Sequence, residues 1–171
     1  EIVEDHPELI ISINVSAKNV ASTDFTERLQ KKLEETGFCP SNLEIEITEY
    51  CMVDSMENTI RNIKRLREMD VQVALDDFGT GYSSLNHIRE IPLDVIKVDQ
   101  SFVRELAQDD YSKSFIRMVA ELAGAIDVSI CVEGIETQMQ YKVLEDMKVR
   151  LVQGYFFDRP MKYDDFNKKY M

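Results

Sequence analysis

The chain has 171 residues, which suggests one domain, and its 44% hydrophobic and 30% charged residues are typical of a soluble globular protein. A net charge of −12 argues against sequence-independent binding to DNA or RNA, so no nucleic acid partner is expected. The three cysteines form no CxxC pair, and no signal peptide or long apolar run is visible, which predicts a cytoplasmic protein with reduced thiols. Membrane anchoring through segments upstream of these residues stays an open alternative.

Short β-branched runs alternate with amphipathic helical patterns along the chain. The runs predict strands at residues 11–16, 43–48, 71–76, 95–98, 128–132 and 150–155. Helices are predicted from Phe25 to a stop at Gly37, from Ser55 after a cap at Asp54, along an apolar stripe over residues 115–126, and after a capping box at Thr137 and Gln140. Six strands that alternate with helices predict a parallel α/β fold, in one domain over residues 1–171.

Two architectures fit this alternation, an open doubly wound sheet and a closed barrel. The residue types on the two faces of each strand distinguish them. Strands of an open parallel sheet are covered on both faces and are continuously apolar. Here Ile45 and Ile47 alternate with Glu44 and Glu46, and other strands also become polar on one face toward their carboxyl ends. Polar groups at the inner rim of strand ends are typical of (β/α) barrels, so the sequence favours a barrel.

The mouth of such a barrel collects acidic residues from several strands. The side chains that we expect to meet there are Asn14, Glu46, Asp76, Lys97, Asp99, Glu133 and Gln153. Asp77 would point to the opposite face within a regular strand, but a strand that ends at Asp76 leaves Asp77 free to turn into the same site. Five carboxylates against one lysine require cations. Because oxygen ligands select Mg²⁺, Mn²⁺ or Ca²⁺, we expect a two-metal site of the kind used in phosphoryl displacement.

Simpler interpretations of these residues stay open. An acidic residue at a strand end is commonly the N-cap of the next helix, although that explains five of them poorly. Gly79, Thr80 and Gly81 can be a phosphate cradle, but a lone GxG is a weak signal, and a hinge for a loop over the site is at least as good an interpretation.

The same residues carry a resemblance to the bacterial EAL domain family. Its successive motifs are matched, in order and from about residue 11 to residue 160, by INVSA at 13–17, LEIEITE at 43–49, DDFGTGYSSL at 76–85, IKVDQSFV at 96–103, VEGIET at 132–137 and QGYF at 153–156. The DDFGTGYSSL motif is highly specific. The resemblance implies a modified TIM-type (β/α) barrel, incomplete here with about six of eight strands, that hydrolyses cyclic di-GMP to linear pGpG with Mg²⁺ or Mn²⁺.

The resemblance also implies roles for single residues, carried over motif by motif. The implied metal ligands are Asn14, Glu46, Asp76 and Asp77. Asp99 and Glu133 would lie at the second metal and the attacking water, Lys97 would orient or help activate that water, and Gln153 would complete the inner shell. Glu49 would hold the loop of residues 77–85, which contributes to dimerisation in relatives and contains Gly79, Thr80, Gly81, Tyr82, Ser83 and Ser84. Tyr82, Glu136 and Pro160 would lie nearer the substrate.

One implied ligand is missing from these residues, since the family's Glu-Ala-Leu motif and its first two strands precede the matched region. The 171 residues alone are therefore expected to be inactive. The alternative function is a catalytically inactive EAL domain that acts as a cyclic di-GMP receptor or as a regulatory or dimerisation module, although none of the expected carboxylates within the matched region is lost. The expected partners are cyclic di-GMP, a second copy in a homodimer, and an upstream sensor or diguanylate cyclase domain.

Overall fold

The computed structural model describes residues 6, 8–52, 56–81 and 88–171, and the elements named here lie in these ranges. The strands are β1 (Ile11–Asn14), β2 (Leu43–Thr48), β3 (Gln72–Phe78), β4 (Val95–Val98), β5 (Ser129–Val132) and β6 (Leu151–Val152). The helices are α1 (Ala17–Val20), α2 (Phe25–Thr36), α3 (Met56–Glu68), α4 (Asp110–Ala125), α5 (Gln138–Asp146) and α6 (Tyr163–Tyr170). Short 3-10 turns lie at Pro40–Asn42, Glu49–Met52 and Gln100–Phe102. All six predicted strands are therefore confirmed.

The strands form one sheet in which each strand pairs with the next in sequence. The order is β1-β2-β3-β4-β5-β6, and every pair is parallel. A doubly wound sheet changes direction at a switch point, whereas a barrel adds strands in sequential order. The prediction of an incomplete (β/α) barrel is confirmed, and the open doubly wound alternative is excluded.

The two faces of the sheet carry different side chains. On the outer face, aliphatic strand residues pack against the helices in the main core, and they include Ile45, Ile47, Leu75, Ile96 and Val132. On the inner face, a small separate cluster contains Ala74, Val95 and Cys131. These three residues come two positions before Asp76, Lys97 and Glu133, so the polar residues lie above them toward the carboxyl ends of the strands.

The predicted helix ends follow from local sequence. Helix α2 stops at Gly37, whose φ of 67° is left-handed and therefore favours glycine. Helix α5 begins with the predicted capping box, in which the Thr137 hydroxyl accepts the Gln140 N–H and the Gln140 side chain accepts the Thr137 N–H. Helix α3 begins at Met56 in the described part of the chain, and its predicted start at Asp54 and Ser55 lies outside the described residues.

Strands β1 and β6 are shorter than predicted by two residues or more, and β5 is shorter by one. Strand β1 ends at Asn14, because the chain turns there and Ser16 caps helix α1. Strand β6 contains only Leu151 and Val152, and the backbone after it bonds to the loop that follows β5: the N–H of Phe156 donates to the carbonyl of Ile135 at 2.9 Å. No helix in the described part of the chain has the length and apolar character that crossing a membrane requires.

Candidate active site at the carboxyl ends of the strands

Polar side chains from four neighbouring strands meet around Lys97. The Nζ atom of Lys97 on β4 lies 2.6 Å from Oε1 of Glu46 on β2 and 2.7 Å from Oε1 of Glu133, which follows β5. Asp76 on β3 is the third neighbour, with its Oδ1 at 3.6 Å from the same nitrogen. Lys97 is 5% exposed and Glu46 is 7% exposed, so this pair is removed from bulk water. The structure thus brings four of the predicted residues together.

The charges of this cluster are strongly coupled. Burial alone would lower the pKa of Lys97, but hydrogen bonds to Glu133 and Glu46 outweigh it and raise that pKa above its usual value. The ammonium group therefore stays charged throughout the neutral pH range. Burial raises the pKa of Glu133 despite its contact with Lys97, and Asp76 and Glu46 add to the shift by repulsion. An excess of negative charge remains, which favours the binding of a cation.

Asp77 approaches this cluster by a route that differs from the predicted one. Strand β3 continues to Phe78, so the prediction that Asp77 lies beyond the strand was wrong. Instead, the pairing of β3 with β4 is irregular between Leu75 and Phe78, and Asp77 has a left-handed φ of 56°. Such a bulge re-aims a side chain without ending the strand. Partial burial, and then repulsion from Asp76 and Asp99, raise the pKa of Asp77, which places its carboxylate within electrostatic reach of both.

Three more predicted residues lie near the cluster: Asp99 follows β4, Asn14 ends β1, and Gln153 follows β6. Asp99 caps the turn at Gln100–Phe102, because its Oδ1 accepts the Ser101 N–H at 2.9 Å, so the capping interpretation holds for this residue. Asn14 lies directly opposite Glu46 in the register of β1 with β2. Gln153 and Glu46 line the same inner cavity of about 420 Å³. Their predicted roles as ligands stay predictions.

Glu49 lies beneath the loop that follows β3. Its side chain is buried, and its Oε1 accepts the backbone N–H of Gly79 at 3.2 Å. Gly81 passes so close to Oε2 of Glu49 that a side chain at that position would collide with it. The hydroxyl of Thr80 donates to the carbonyl of Asp77 at 2.9 Å. Glu49 therefore contacts the first residues of the loop, as the resemblance implies.

The remaining predicted residues lie outside this convergence. Glu136 is exposed, and its backbone N–H donates to Oε1 of Gln140 at 2.9 Å. Pro160 lines a separate cavity of about 860 Å³ between β1 and the segment after β6, and Gln153 reaches that cavity too. Three predicted residues, Tyr82, Ser83 and Ser84, lie outside the described residues.

A deeper polar layer was not among the predicted site residues. Glu44 is 9% exposed, and the hydroxyl of Ser12 donates to its Oε1 at 2.6 Å. Burial and then repulsion from Glu133 raise the pKa of Cys131, a neighbour of this layer, to about 12, so its thiol stays protonated. The alternation along β2 already places Glu44 on the face of Glu46, and that signal identifies it as an interior residue.

The donor set fits a hard divalent cation, although it does not form a closed metal cage. Among the residues that the structure describes, no three acidic, cysteine or histidine side chains stand close enough to hold an ion on their own. However, Oδ1 of Asp76 is buried and has no hydrogen-bond donor in the described ranges. A buried carboxylate oxygen without a partner is costly, and carboxylates are the ligands that Mg²⁺ and Mn²⁺ prefer, so the residues suit such an ion.

Comparisons with known proteins agree with this geometry. The profile of the EAL domain family matches residues 2–160. The chain is 35% identical over 156 residues to cyclic di-GMP phosphodiesterase NbdA of Pseudomonas aeruginosa. That alignment covers 91% of this chain and 20% of NbdA, so the chain spans about a fifth of the length of this curated relative.

Solved structures show the same fold. The PaMucR phosphodiesterase in complex with c-di-GMP superposes with a TM-score of 0.89 at 28% identity, covering 96% of this chain and 67% of that one. The manganese and cy-diGMP complex of BlrP1 from Klebsiella pneumoniae gives a TM-score of 0.80 at 28% identity, covering 88% of this chain and 39% of that one. The fold described above is therefore that of solved phosphodiesterase structures.

Proposed function

The chain belongs to the EAL domain family, and we propose that its residues 1–171 are part of a phosphodiesterase domain that hydrolyses cyclic di-GMP to linear pGpG. One observation carries the proposal: Glu46, Asp76, Lys97 and Glu133 converge at the carboxyl ends of consecutive parallel strands. That end of a (β/α) barrel is where such enzymes have their active sites. The name of NbdA and the ligand in the PaMucR complex support cyclic di-GMP as the substrate.

Mg²⁺ or Mn²⁺ is the proposed cofactor, in a two-metal site. The ligands would be Asn14, Glu46, Asp76 and Asp77, with Asp99 and Glu133 at the second ion and Gln153 beside them. When bound, the ions would neutralise the carboxylates and polarise the phosphodiester as Lewis acids. The Oδ1 of Asp76, which accepts no hydrogen bond from the described residues, the raised pKa of Asp77 and the manganese in the BlrP1 complex support this assignment.

Lys97 would orient the attacking water, and its surroundings define what it can do. With its raised pKa, it is a poor base at neutral pH and acts as a fixed positive charge. Its ammonium group has three N–H donors, of which Glu46 and Glu133 engage two at 2.6 and 2.7 Å. Oδ1 of Asp76 is the third neighbour, but at 3.6 Å it is beyond hydrogen-bond distance, so the third N–H can hold a water or a phosphate oxygen. Glu133 is the neighbouring carboxylate whose raised pKa suits it to receive a proton from that water.

Incubation with cyclic di-GMP and Mn²⁺, followed by chromatography for pGpG, tests the function. We expect metal-dependent binding by the 171 residues and cleavage once the protein is extended upstream through the Glu-Ala-Leu motif. Cleavage should occur with Mg²⁺ or Mn²⁺ and be inhibited by Ca²⁺, whose looser coordination does not fix the reacting oxygens. Binding without cleavage in either metal would replace this proposal by the receptor alternative.

The proposed partners and location each rest on a separate observation. A homodimer is proposed because apolar side chains on β1 are exposed, with Ile13 at 40%. An upstream sensor or diguanylate cyclase domain is proposed because the chain aligns with only 20% of NbdA. A cytoplasmic location is proposed because Cys39, Cys51 and Cys131 are all unpaired thiols, as expected in a reducing compartment.

A further inference from the structure

The loop after β3 is held at Gly79 from two sides. On one side, the Gly79 N–H donates to Oε1 of Glu49 at 3.2 Å. On the other side, a Cβ atom at Gly79 would lie 2.6 Å from Cε2 of Phe102 and 2.7 Å from Cζ of Phe115. The two rings therefore occupy the space that a side chain at Gly79 would need. Its φ of 99° is also left-handed, so the position favours glycine for two independent reasons.

The two rings form a stacked pair that joins separate parts of the site. The ring centroids of Phe102 and Phe115 are 4.0 Å apart, with an angle of 10° between the planes. Phe102 lies in the turn that Asp99 caps, and Phe115 lies on helix α4. Phe78 stacks on Phe115 at 6.2 Å, and the Phe78 carbonyl accepts the Asp99 N–H at 3.4 Å. The pair thus connects the end of β3, the turn after β4, and helix α4.

The contact of the two rings with Gly79 lies close in sequence to Asp77, one of the carboxylates of the site. Gly79 is two residues from Asp77, and both have left-handed backbone angles, 99° and 56°. A non-glycine residue in that conformation persists only where the surroundings over-determine it. The rings and Glu49 together supply that constraint at Gly79. A loosened loop would let the Asp77 backbone relax and turn its carboxylate away from Asp99.

We propose that Phe102 and Phe115 are positioning residues of the candidate site: their stacked rings fix the Gly79 backbone and, through it, the direction of the Asp77 carboxylate. This inference rests on the proposed function, because it assigns the ring pair a part in metal binding. Neither ring is expected to contact the metal or the substrate. In enzymes, a displacement of about 1 Å at a distant support can cost about 100-fold in rate, so a small shift at Gly79 has a measurable effect.

Two substitutions of Phe102 disturb the contact in opposite ways. Phe102→Leu removes the stacked ring and leaves space beside Gly79. Phe102→Tyr adds an oxygen at Cζ, an atom only 2.9 Å from the Cβ position of Gly79, and so pushes the loop outward. The matched control is Phe166→Leu, which removes a ring that packs on Tyr170 at 5.1 Å in helix α6 and belongs neither to the stacked pair nor to the loop after β3. The measurements are amide hydrogen exchange of the metal-free chain, Mn²⁺ affinity by calorimetry, and thermal unfolding.

Both Phe102 variants should speed exchange at the Gly79 and Thr80 amides and weaken Mn²⁺ binding by about 10-fold or more. Phe166→Leu should change neither, even if its melting temperature falls as much as that of Phe102→Leu. Unchanged exchange at Gly79 in both Phe102 variants, or an equal change in the control, would overturn the inference. If the protein extended through the Glu-Ala-Leu motif binds no Mn²⁺ either, the proposed function fails instead, while the exchange data still decide whether the rings hold Gly79.

Discussion

At the scale of single residues, the site is held together by charges that oppose one another. Lys97 is fixed by two buried or half-buried carboxylates and carries a raised pKa, so it stabilises the cluster. Asp77 also has a raised pKa, but for the opposite reason: partial burial and repulsion from Asp76 and Asp99 disfavour its charge. In the metal-free protein the ionised Asp77 therefore opposes folding, and binding of a metal ion would remove that cost.

Replacement of Asp77 by asparagine tests this balance. A carboxyl group whose pKa is raised by folding stabilises the folded state at pH values below its pKa in the unfolded chain, near 3.8. That stabilisation is lost as the pH rises through the pKa that the group has in the folded protein. Asp77→Asn should therefore melt at a higher temperature than the unaltered chain at pH 7 in EDTA, and at about the same temperature near pH 3.5. Asparagine also tolerates the left-handed φ of this position, so the backbone should not change.

Saturating Mn²⁺ should reverse the order of the two melting temperatures at pH 7, so that the unaltered chain melts above Asp77→Asn. The metal stabilises the unaltered chain by mass action, whereas the variant has lost a charged ligand. Melting curves with EDTA and with Mn²⁺ measure both effects. If Asp77→Asn stayed the more stable protein in Mn²⁺, Asp77 would not be a metal ligand.

Replacement of Lys97 by alanine tests whether its charge positions the reacting water. In the protein extended through the Glu-Ala-Leu motif, Lys97→Ala should lower kcat by about 100-fold or more at saturating Mn²⁺, with metal affinity largely retained. Lys113→Ala is the control, because Lys113 pairs on helix α4 with the exposed carboxylate of Asp110 at 3.1 Å and is not part of the cluster around Lys97. Near-normal turnover of Lys97→Ala would remove Lys97 from the mechanism.

At the scale of elements, the alternation of apolar and polar residues predicts the strands and most of the site. It does not predict local backbone geometry. Glu46 and Lys97 share a face because strand side chains alternate, and that can be read from sequence. The bulge at Asp77 cannot, because nothing in the DDFG sequence signals a left-handed aspartate within a strand. The proximity of Phe102 to Gly79 cannot be predicted from the sequence either, because the two residues lie in different loops and only the folded chain brings them together.

The loop after β3 depends on one buried carboxylate, and Glu49 can be tested with a matched pair of variants. Glu49→Ala leaves the Gly79 N–H without its acceptor, at a cost of about 1–3 kcal/mol in the free energy of unfolding. Glu49→Gln keeps an acceptor oxygen and should cost less. Urea unfolding measures both. Activity should fall with Glu49→Ala and largely recover with Glu49→Gln. Equal loss in the two variants would mean that the charge of Glu49, not its bond to Gly79, is what the loop needs.

At the scale of the whole molecule, the sheet has an edge that the helices do not cover. Strand β1 pairs with β2 alone among the strands in the described ranges, and all four of its residues are exposed. Ile11 and Ile13 are 39% and 40% exposed, and Leu151 on β6 is 45% exposed. The cavity of about 860 Å³ separates β1 from the segment after β6. Uncovered parallel edges and apolar patches promote association.

The 171-residue chain should therefore self-associate at micromolar concentrations, which sedimentation velocity can measure. Ile13→Lys should shift it toward the monomer by placing a charge on the exposed edge. Met139→Lys is the control, because Met139 is 65% exposed on helix α5, away from β1. A chain that is monomeric at every concentration, or one in which both variants act alike, would contradict association through β1.

The rate of pGpG formation from cyclic di-GMP by the protein extended through the Glu-Ala-Leu motif is the most direct test of the proposed function. With Mg²⁺ or Mn²⁺, linear pGpG should accumulate over many turnovers, and Asp76→Asn should abolish it, because the substitution removes the charge of a proposed metal ligand whose buried Oδ1 accepts no hydrogen bond from the described residues. Binding of cyclic di-GMP with no pGpG in either metal, or undiminished turnover by Asp76→Asn, would contradict a metal-dependent phosphodiesterase at this site.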